Sequence, residues 1–329
     1  MSIRIALLGA GRIGQVHAKA IAFSRGAQLA AVADAYPEAA QRIADQYGCQ
    51  TSTVEALIAS AEIDAVLIAT STDTHADLIE AAARAGKAIF CEKPIDLDVE
   101  RVRRCIEVVA QTGAKLMIGF NRRFDPHFKS AQQAIAGGCI GAVEQVQITS
   151  RDPAPPPIDY IKRSGGIFRD MMIHDFDMAR FMLGEEPVSV MATGSVLVDS
   201  EIGAAGDYDT AMAILTTDSG KQCVITNSRR ATYGYDQRLE VHGANGMVSA
   251  DNPRITGVEI AAESGYSRGP LHNFFMTRYT EAYQAEIETF VQWLGGADIE
   301  VPSGQDGLRA IELAEAALKS AQTGQTVKV

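Results

Sequence analysis

Positive charge is in short supply in this chain. Lys and Arg number 30 against 41 Asp and Glu, for a formal net charge of -11 and a sequence pI near 5.1. The long-range field therefore repels phosphate backbones and argues against nucleic acid as a partner. Long hydrophobic runs are missing too. Nothing approaches the ~18 to 20 apolar residues that span a bilayer, and Met1 to Leu8 lead straight into a strand pattern without the layout of a signal peptide. A cytoplasmic protein with no membrane partner is the expectation. Cysteine is sparse: Cys49, Cys91, Cys105, Cys139 and Cys223 are odd in number, scattered and form no CxxC, which suits reduced thiols better than a disulfide framework or a zinc site. Repeats are absent, and low complexity is confined to Asp152-Pro153-Ala154-Pro155-Pro156-Pro157, a stiff polyproline-like loop. What remains is globular. A composition of 47% hydrophobic and 22% charged residues excludes disorder, and 329 residues exceed what one core usually organises, which favours two domains.

Up to residue 119, short apolar runs alternate with amphipathic stretches, the pattern of βαβ units on a parallel sheet. Ile3 to Leu8, Leu29 to Ala33, Ala65 to Ala69, Ala88 to Cys91 and Lys115 to Gly119 read as strands covered on both faces. Pro37 suits the first turn of a helix, and Thr74 or Asp73 is placed to cap another. After residue 119 the rhythm changes. Val143 to Ser150, Val188 to Val198, Thr210 to Thr217, Lys221 to Ser228 and Arg238 to Val241 read as strands of an antiparallel sheet, interrupted by one long helix from Gly166 to Leu183. Two closing helices are expected over Tyr279 to Leu294 and Gln305 to Ala321. The fold expected is α/β: a dinucleotide-binding domain over 1–119 and a substrate and oligomerisation domain over 120–329, the latter with a large open, mostly antiparallel sheet. The helix 305–321 is a candidate to pack back on the first domain. A broad sheet face that no following helix covers favours self-association.

Gly9-Ala10-Gly11-Arg12-Ile13-Gly14 matches G-x-G-x-x-G, follows the first strand, opens a helix, and precedes Asp34 by 20 residues at the end of the second strand. Gly9 allows the tight turn, Gly11 leaves room for a pyrophosphate, and Gly14 lets helix and strand pack closely. The helix N-terminus, at Arg12 and Ile13, offers N–H groups and a positive dipole. Asp34 suits ribose hydroxyls and opposes a 2′-phosphate; Ala35 and Tyr36 follow it rather than an arginine, so NAD is preferred to NADP. The competing readings are a plain tight turn and a surface acid. Thr70-Ser71-Thr72-Asp73-Thr74-His75, at the end of the third strand, either lines the cofactor through Thr70, Ser71 and His75 or caps the next helix. Glu92 and Lys93 of Cys91-Glu92-Lys93-Pro94 follow the fourth strand, where the carboxyl ends of strands border the ligand crevice; the alternative is an ordinary exposed lysine.

In the expected helix from Gly166, Asp170, His174 and Asp177 fall within ~60° of one another at ~100° per residue. A histidine one turn from a carboxylate can act as a general base near neutral pH, though a solvated polar face would look similar. Asp175 points to the apolar side and reads as structural. No histidine spacing suggests a metal site, and none is expected.

These three elements, in this order and spacing, resemble the Gfo/Idh/MocA oxidoreductases over the whole chain. Within that family Ser150 to Pro156, Gly165 to Asp177 and Tyr233 to Arg238 resemble the inositol 2-dehydrogenase subgroup. The resemblance implies a Rossmann domain followed by an α/β domain, NAD as hydride acceptor, and Lys93 and His174 as the catalytic pair with Asp170. It further implies Arg123, Asp152, Asp177 and Tyr235 near a cyclic polyol, and a homotetramer. The reaction implied is oxidation of myo-inositol to 2-keto-myo-inositol. Another inositol isomer such as scyllo-inositol, a pyranose or an anhydrosugar is the alternative substrate, and a non-catalytic NAD-binding regulator the alternative class. The proline-rich run after Asp152 departs from members that carry His or Asn in this loop.

Overall fold

The computed structural model describes residues 2–329, which divide into two compact units. One runs to Asp125 and takes in Thr280–Ile311; the other comprises Pro126–Tyr279 and Glu312–Val329. The first unit alternates strands and helices: β1 (Ile3–Leu8), α1 (Arg12–Phe23), β2 (Ala27–Ala33), α2 (Pro37–Tyr47), β3 (Gln50–Thr51), α3 (Val54–Ala59), β4 (Ala65–Ile68), α4 (His75–Arg84), β5 (Ala88–Glu92), α5 (Val99–Thr112) and β6 (Leu116–Gly119). The six strands form one parallel sheet in the order β3-β2-β1-β4-β5-β6, so the chain turns back across β1 and reverses direction between β1 and β4. Ile5 to Leu8 and Ala65 to Ile68 are all fully buried, which is why these strands read as continuous apolar runs. Pro37 opens α2 as expected, and Asp98 caps α5 by accepting from the Glu100 and Arg101 N–H groups. Thr74 does not cap α4: its hydroxyl donates to the Ser71 carbonyl and bonds the Thr70 hydroxyl, which takes it away from the helix N–H groups.

The second unit contains α6 (Pro126–Ala136), β7 (Val143–Arg151), α7 (Ile158–Ser164), α8 (Gly166–Asp170), α9 (Ile173–Leu183), β8 (Pro187–Ser195), α10 (Ser200–Ala204), β9 (Thr210–Thr217), β10 (Gln222–Ser228), β11 (Asp236–Gly243), β12 (Gly246–Ala250), β13 (Glu259–Ala262), β14 (Gly265–Arg268) and α11 (Phe275–Arg278). Two long helices follow, α12 (Thr280–Leu294) and α13 (Gly304–Thr323), then a last strand, β15 (Val327–Lys328). Its sheet has seven strands in the order β12-β11-β7-β10-β9-β8-β15. The sheet is antiparallel except for the β7–β10 pair, which is parallel. Alternate residues of β9 are buried and exposed, as a sheet with one covered face requires. Helix α9 lies against β7 and β10.

The single helix expected from Gly166 to Leu183 is in fact two, with a break at Met171 and Met172. Both of these N–H groups point to the Ile167 carbonyl, the second across five residues. That wide turn restarts the helix at Ile173 and changes the angular offset between Asp170 and His174 that an unbroken helix would give. Among the described residues no helix is long and apolar enough to cross a membrane.

Candidate active site

The glycine loop of the first unit is shaped by close backbone approach. Gly9 has φ +102°, and a Cβ there would sit 2.4 Å from the Ala69 carbonyl oxygen. At Gly14 a Cβ would stand 2.1 Å from the Gly9 carbonyl oxygen, so α1 can start this near β1 only without a side chain. Gly11 differs: a Cβ there would meet nothing within 4 Å, and as N-cap of α1 it places no side chain over the first-turn N–H groups at Arg12 and Ile13. That open cradle at a helix N-terminus fits a pyrophosphate. Asp34 is fixed beside it, its two carboxylate oxygens accepting from the Ala10 N–H at 2.6 Å and the Tyr36 N–H at 2.7 Å. Each oxygen keeps a lone pair for a ribose hydroxyl.

At the neighbouring strand ends, the polar turn after β4 is tied to the segment after β5. His75 is buried with Nδ1 2.8 Å from the Pro94 carbonyl oxygen and Nε2 3.1 Å from that of Thr70. His75 thus sits between two backbone carbonyls, either of which can accept its ring N–H, with Thr70 and Ser71 on the turn beside it. Lys93 leaves β5 partly exposed and is joined to Pro94 by a cis peptide bond. Glu92 is buried, and its Oε1 lies 2.6 Å from His17 Nε2 on α1. Arg123 is also buried here, 2.8 Å from Asp306. Burial alone would push the Asp306 carboxyl up, but the Arg123 charge, the Ser303 N–H and the Ser303 hydroxyl bring it down to about 2.

In the second unit, Asp170 ends α8 and His174 begins α9. Asp170 accepts from the Tyr160 hydroxyl at 2.8 Å and lies 3.8 Å from Arg229, whose guanidinium is 1% exposed and 3.3 Å from Asp207. Asp207 in turn accepts from the Ile167 N–H, so the start of α8 and the charge beside Asp170 share one anchor. Asp175 is fully buried and accepts from Ser150 of β7 at 2.6 Å and Asn227 of β10 at 2.8 Å, which makes it the pin between helix and sheet that its apolar-side placement suggests. Asp177 is buried 3.6 Å from Arg180. Tyr235 is buried edge-on to Phe274 and Tyr279. Asp152 is half-buried just after β7, its N–H donating to the Ser228 carbonyl. Tyr160, Arg229 and His17 escape sequence reading. His17, three residues past Gly14 on α1, carried the one usable signal.

A doubly wound parallel sheet with an open glycine cradle and an acid at the end of its second strand defines a dinucleotide-binding oxidoreductase. The chain belongs to the GFO/IDH/MocA oxidoreductase family: the model of its NAD-binding Rossmann fold matches residues 3–120 and that of its C-terminal domain matches residues 128–249. The chain is 64% identical over 330 residues to an inositol 2-dehydrogenase of Rhizobium meliloti, covering all of both chains. Among solved structures it resembles a myo-inositol dehydrogenase from Corynebacterium glutamicum at 46% identity and TM-score 0.96, over 100% of this chain and 99% of that one. A scyllo-inositol dehydrogenase from Lactobacillus casei, solved with bound NAD(H) and scyllo-inositol, matches at 31% identity and TM-score 0.92 over the same shares. The cofactor of this chain is NAD, which the cradle and Asp34 suit.

Proposed function

We propose that the chain oxidises a secondary ring hydroxyl of a cyclic polyol, myo-inositol to 2-keto-myo-inositol, with NAD. The observation that carries this reading is the full-length, 64% identity to an inositol 2-dehydrogenase in a chain that has Lys93, Asp170 and His174 together with the dinucleotide cradle. Bound NAD supplies the acceptor for the hydride that leaves the carbinol carbon. His174 takes the hydroxyl proton as general base, and Asp170 orients its imidazole. The Lys93 ammonium hydrogen-bonds the same oxygen and stabilises the alkoxide that develops on it. Asp170 is held for this by Tyr160 and Arg229. Among the residues expected near the ring, Asp152 is half-buried, whereas Arg123, Asp177 and Tyr235 are buried, with Asp306, Arg180 and aromatic rings respectively beside them. Asp152 is accordingly the first choice for a direct hydroxyl contact.

We also place the chain in the cytoplasm as a homo-oligomer. Met191, Met212 and Ile214 are each about half exposed. Met191 pairs with Ile214 across β8 and β9, which gives the open sheet face an apolar centre. Light scattering at micromolar concentration should give a multiple of 35.2 kDa.

The function is tested by NADH absorbance with NAD or NADP and a panel of myo-inositol, scyllo-inositol, D-chiro-inositol, glucose, galactose and xylose. Strong turnover with NAD and myo-inositol is expected. A preference for scyllo-inositol or a pyranose would move the substrate within the class, and NAD binding without turnover on any member would favour a non-catalytic NAD-binding regulator.

A further inference from the structure

The proline-rich run that ends at Pro157 leads into α7, and α7 ends at Gly165 and Gly166, whose φ angles of +85° and +83° turn the chain into α8. The Tyr160 and Ile161 N–H groups donate to the Pro157 carbonyl at 2.9 and 3.2 Å, and the Ile161 side chain is buried. A start fixed by proline and a buried anchor one residue on leave the backbone at Tyr160 little freedom. Tyr160 itself is 47% exposed, yet its hydroxyl is committed. It donates to Asp170 Oδ1 at 2.8 Å, across the glycine pair.

Asp170 needs such a tie, because it closes a five-residue helix that is too short to be rigid alone. The start of α8 is fixed by Asp207, which accepts from the Ile167 N–H at 2.9 Å. The same Asp207 lies 3.3 Å from Arg229, so the buried guanidinium is shared between two acids. At 3.8 Å from Asp170 Oδ2 it supplies a neighbouring charge, not a directed hydrogen bond. The Tyr160 hydroxyl supplies the direction that a charge at this distance does not. A phenol is also a neutral donor: it fixes the rotation of the carboxylate without cancelling the negative charge that His174 uses. A cation in close contact at the same oxygen would do the first and undo the second.

We propose that Tyr160 is a positioning residue for turnover: seated by the proline-rich run, its hydroxyl sets the rotation of Asp170, and Asp170 so held presents its charge to the His174 imidazole. The inference rests on the reading of His174 as the general base and Asp170 as the acid that orients it. It gives the proline-rich run a task in that reading.

The test compares Tyr160→Phe with wild type in the full-length chain, and repeats the change on an Asp170→Ala background. Phe keeps the half-exposed ring and removes only the hydroxyl. The melting temperature, NAD affinity and KM for the polyol should therefore hold while kcat falls roughly 10-fold. On the Asp170→Ala background the same change should cost less than about twofold, because nothing is left to aim. A chain carrying 3-fluorotyrosine in place of Tyr160 keeps the hydroxyl and should turn over like wild type. Its ¹⁹F signal should shift when Asp170→Ala removes the acceptor. The proposal is overturned by a kcat for Tyr160→Phe within about twofold of wild type, by a raised KM at unchanged kcat, or by a melting temperature lowered in step with kcat. Equal losses on the two backgrounds, or a ¹⁹F signal blind to Asp170→Ala, would overturn it as well. If wild type turns over no polyol, the reading of the function fails by itself, and the ¹⁹F signal still decides whether Asp170 holds the phenol.

Discussion

The first unit holds the acid of its cradle through backbone N–H groups, whereas the second holds its acids through side chains. Asp34 is fixed by the N–H groups of Ala10 and Tyr36, one in the glycine loop and one two residues on. Asp170 depends on Tyr160 and Arg229, and Asp175 on Ser150 and Asn227, which come from different helices, loops and strands. Where the backbone does the binding, glycines and strand ends are the site. Where carboxylates must be aimed, the aiming groups arrive from elsewhere in the fold.

The largest effects should come from removing the proposed chemistry on either side. Lys93→Ala and His174→Ala should each lower kcat on the order of 100-fold or more while NAD still binds. Steady-state kinetics alongside NADH titration would show it, and near-wild-type turnover in either variant would remove that residue from the mechanism. Next in size is a pair within the glycine loop. Gly14→Ala brings a Cβ to 2.1 Å from a backbone oxygen and should cost about 3 kcal/mol of stability. Gly11→Ala meets open space and should leave the melting temperature nearly unchanged while weakening NAD binding. If both melt alike, the division of labour between these glycines is wrong.

A smaller loss, about 2 kcal/mol, is expected in the second unit for Asp175→Ala, which strands the buried Ser150 hydroxyl and Asn227 amide. Denaturant unfolding of the double variant Asp175→Ala, Asn227→Leu should recover part of that cost. Strict additivity of the two changes would mean the carboxylate is not pinning helix to sheet.

The same contrast explains what could be read in advance. The five long strands of the first sheet and the cradle from Gly9 to Asp34 are legible because burial on both faces writes continuous apolar runs and because a tight turn needs glycine at fixed spacing. The two-residue β3 is too short to write a pattern. In the second unit β7 to β11 are legible, but the short strands β12 to β15 are not, and neither is the parallel β7–β10 pairing, since period-two alternation carries no direction. The break in the helix at Met171 is invisible for a related reason: apolar periodicity continues across it, and only the bonds to Ile167 reveal it. His17 and Glu92 read as unrelated residues because nothing local links α1 and β5.

The last prediction breaks the comparison on purpose, because the first unit also has a long-range piece. Asp306 reaches Arg123 across 183 residues. Its carboxyl is drawn from its ordinary 3.8 down to about 2 in the fold, by Arg123 and Ser303 acting against burial. A folded-state value below the unfolded one means the folded chain binds the proton less readily. The stabilisation is therefore complete above pH ~4 and is lost as pH falls toward ~2. It amounts to about 1 kcal/mol once screening is allowed for. Melting curves of wild type and Asp306→Asn should differ by a constant amount from pH 7 down to about 4 and converge below that. A gap that persists at low pH would show that Asp306 contributes shape rather than charge.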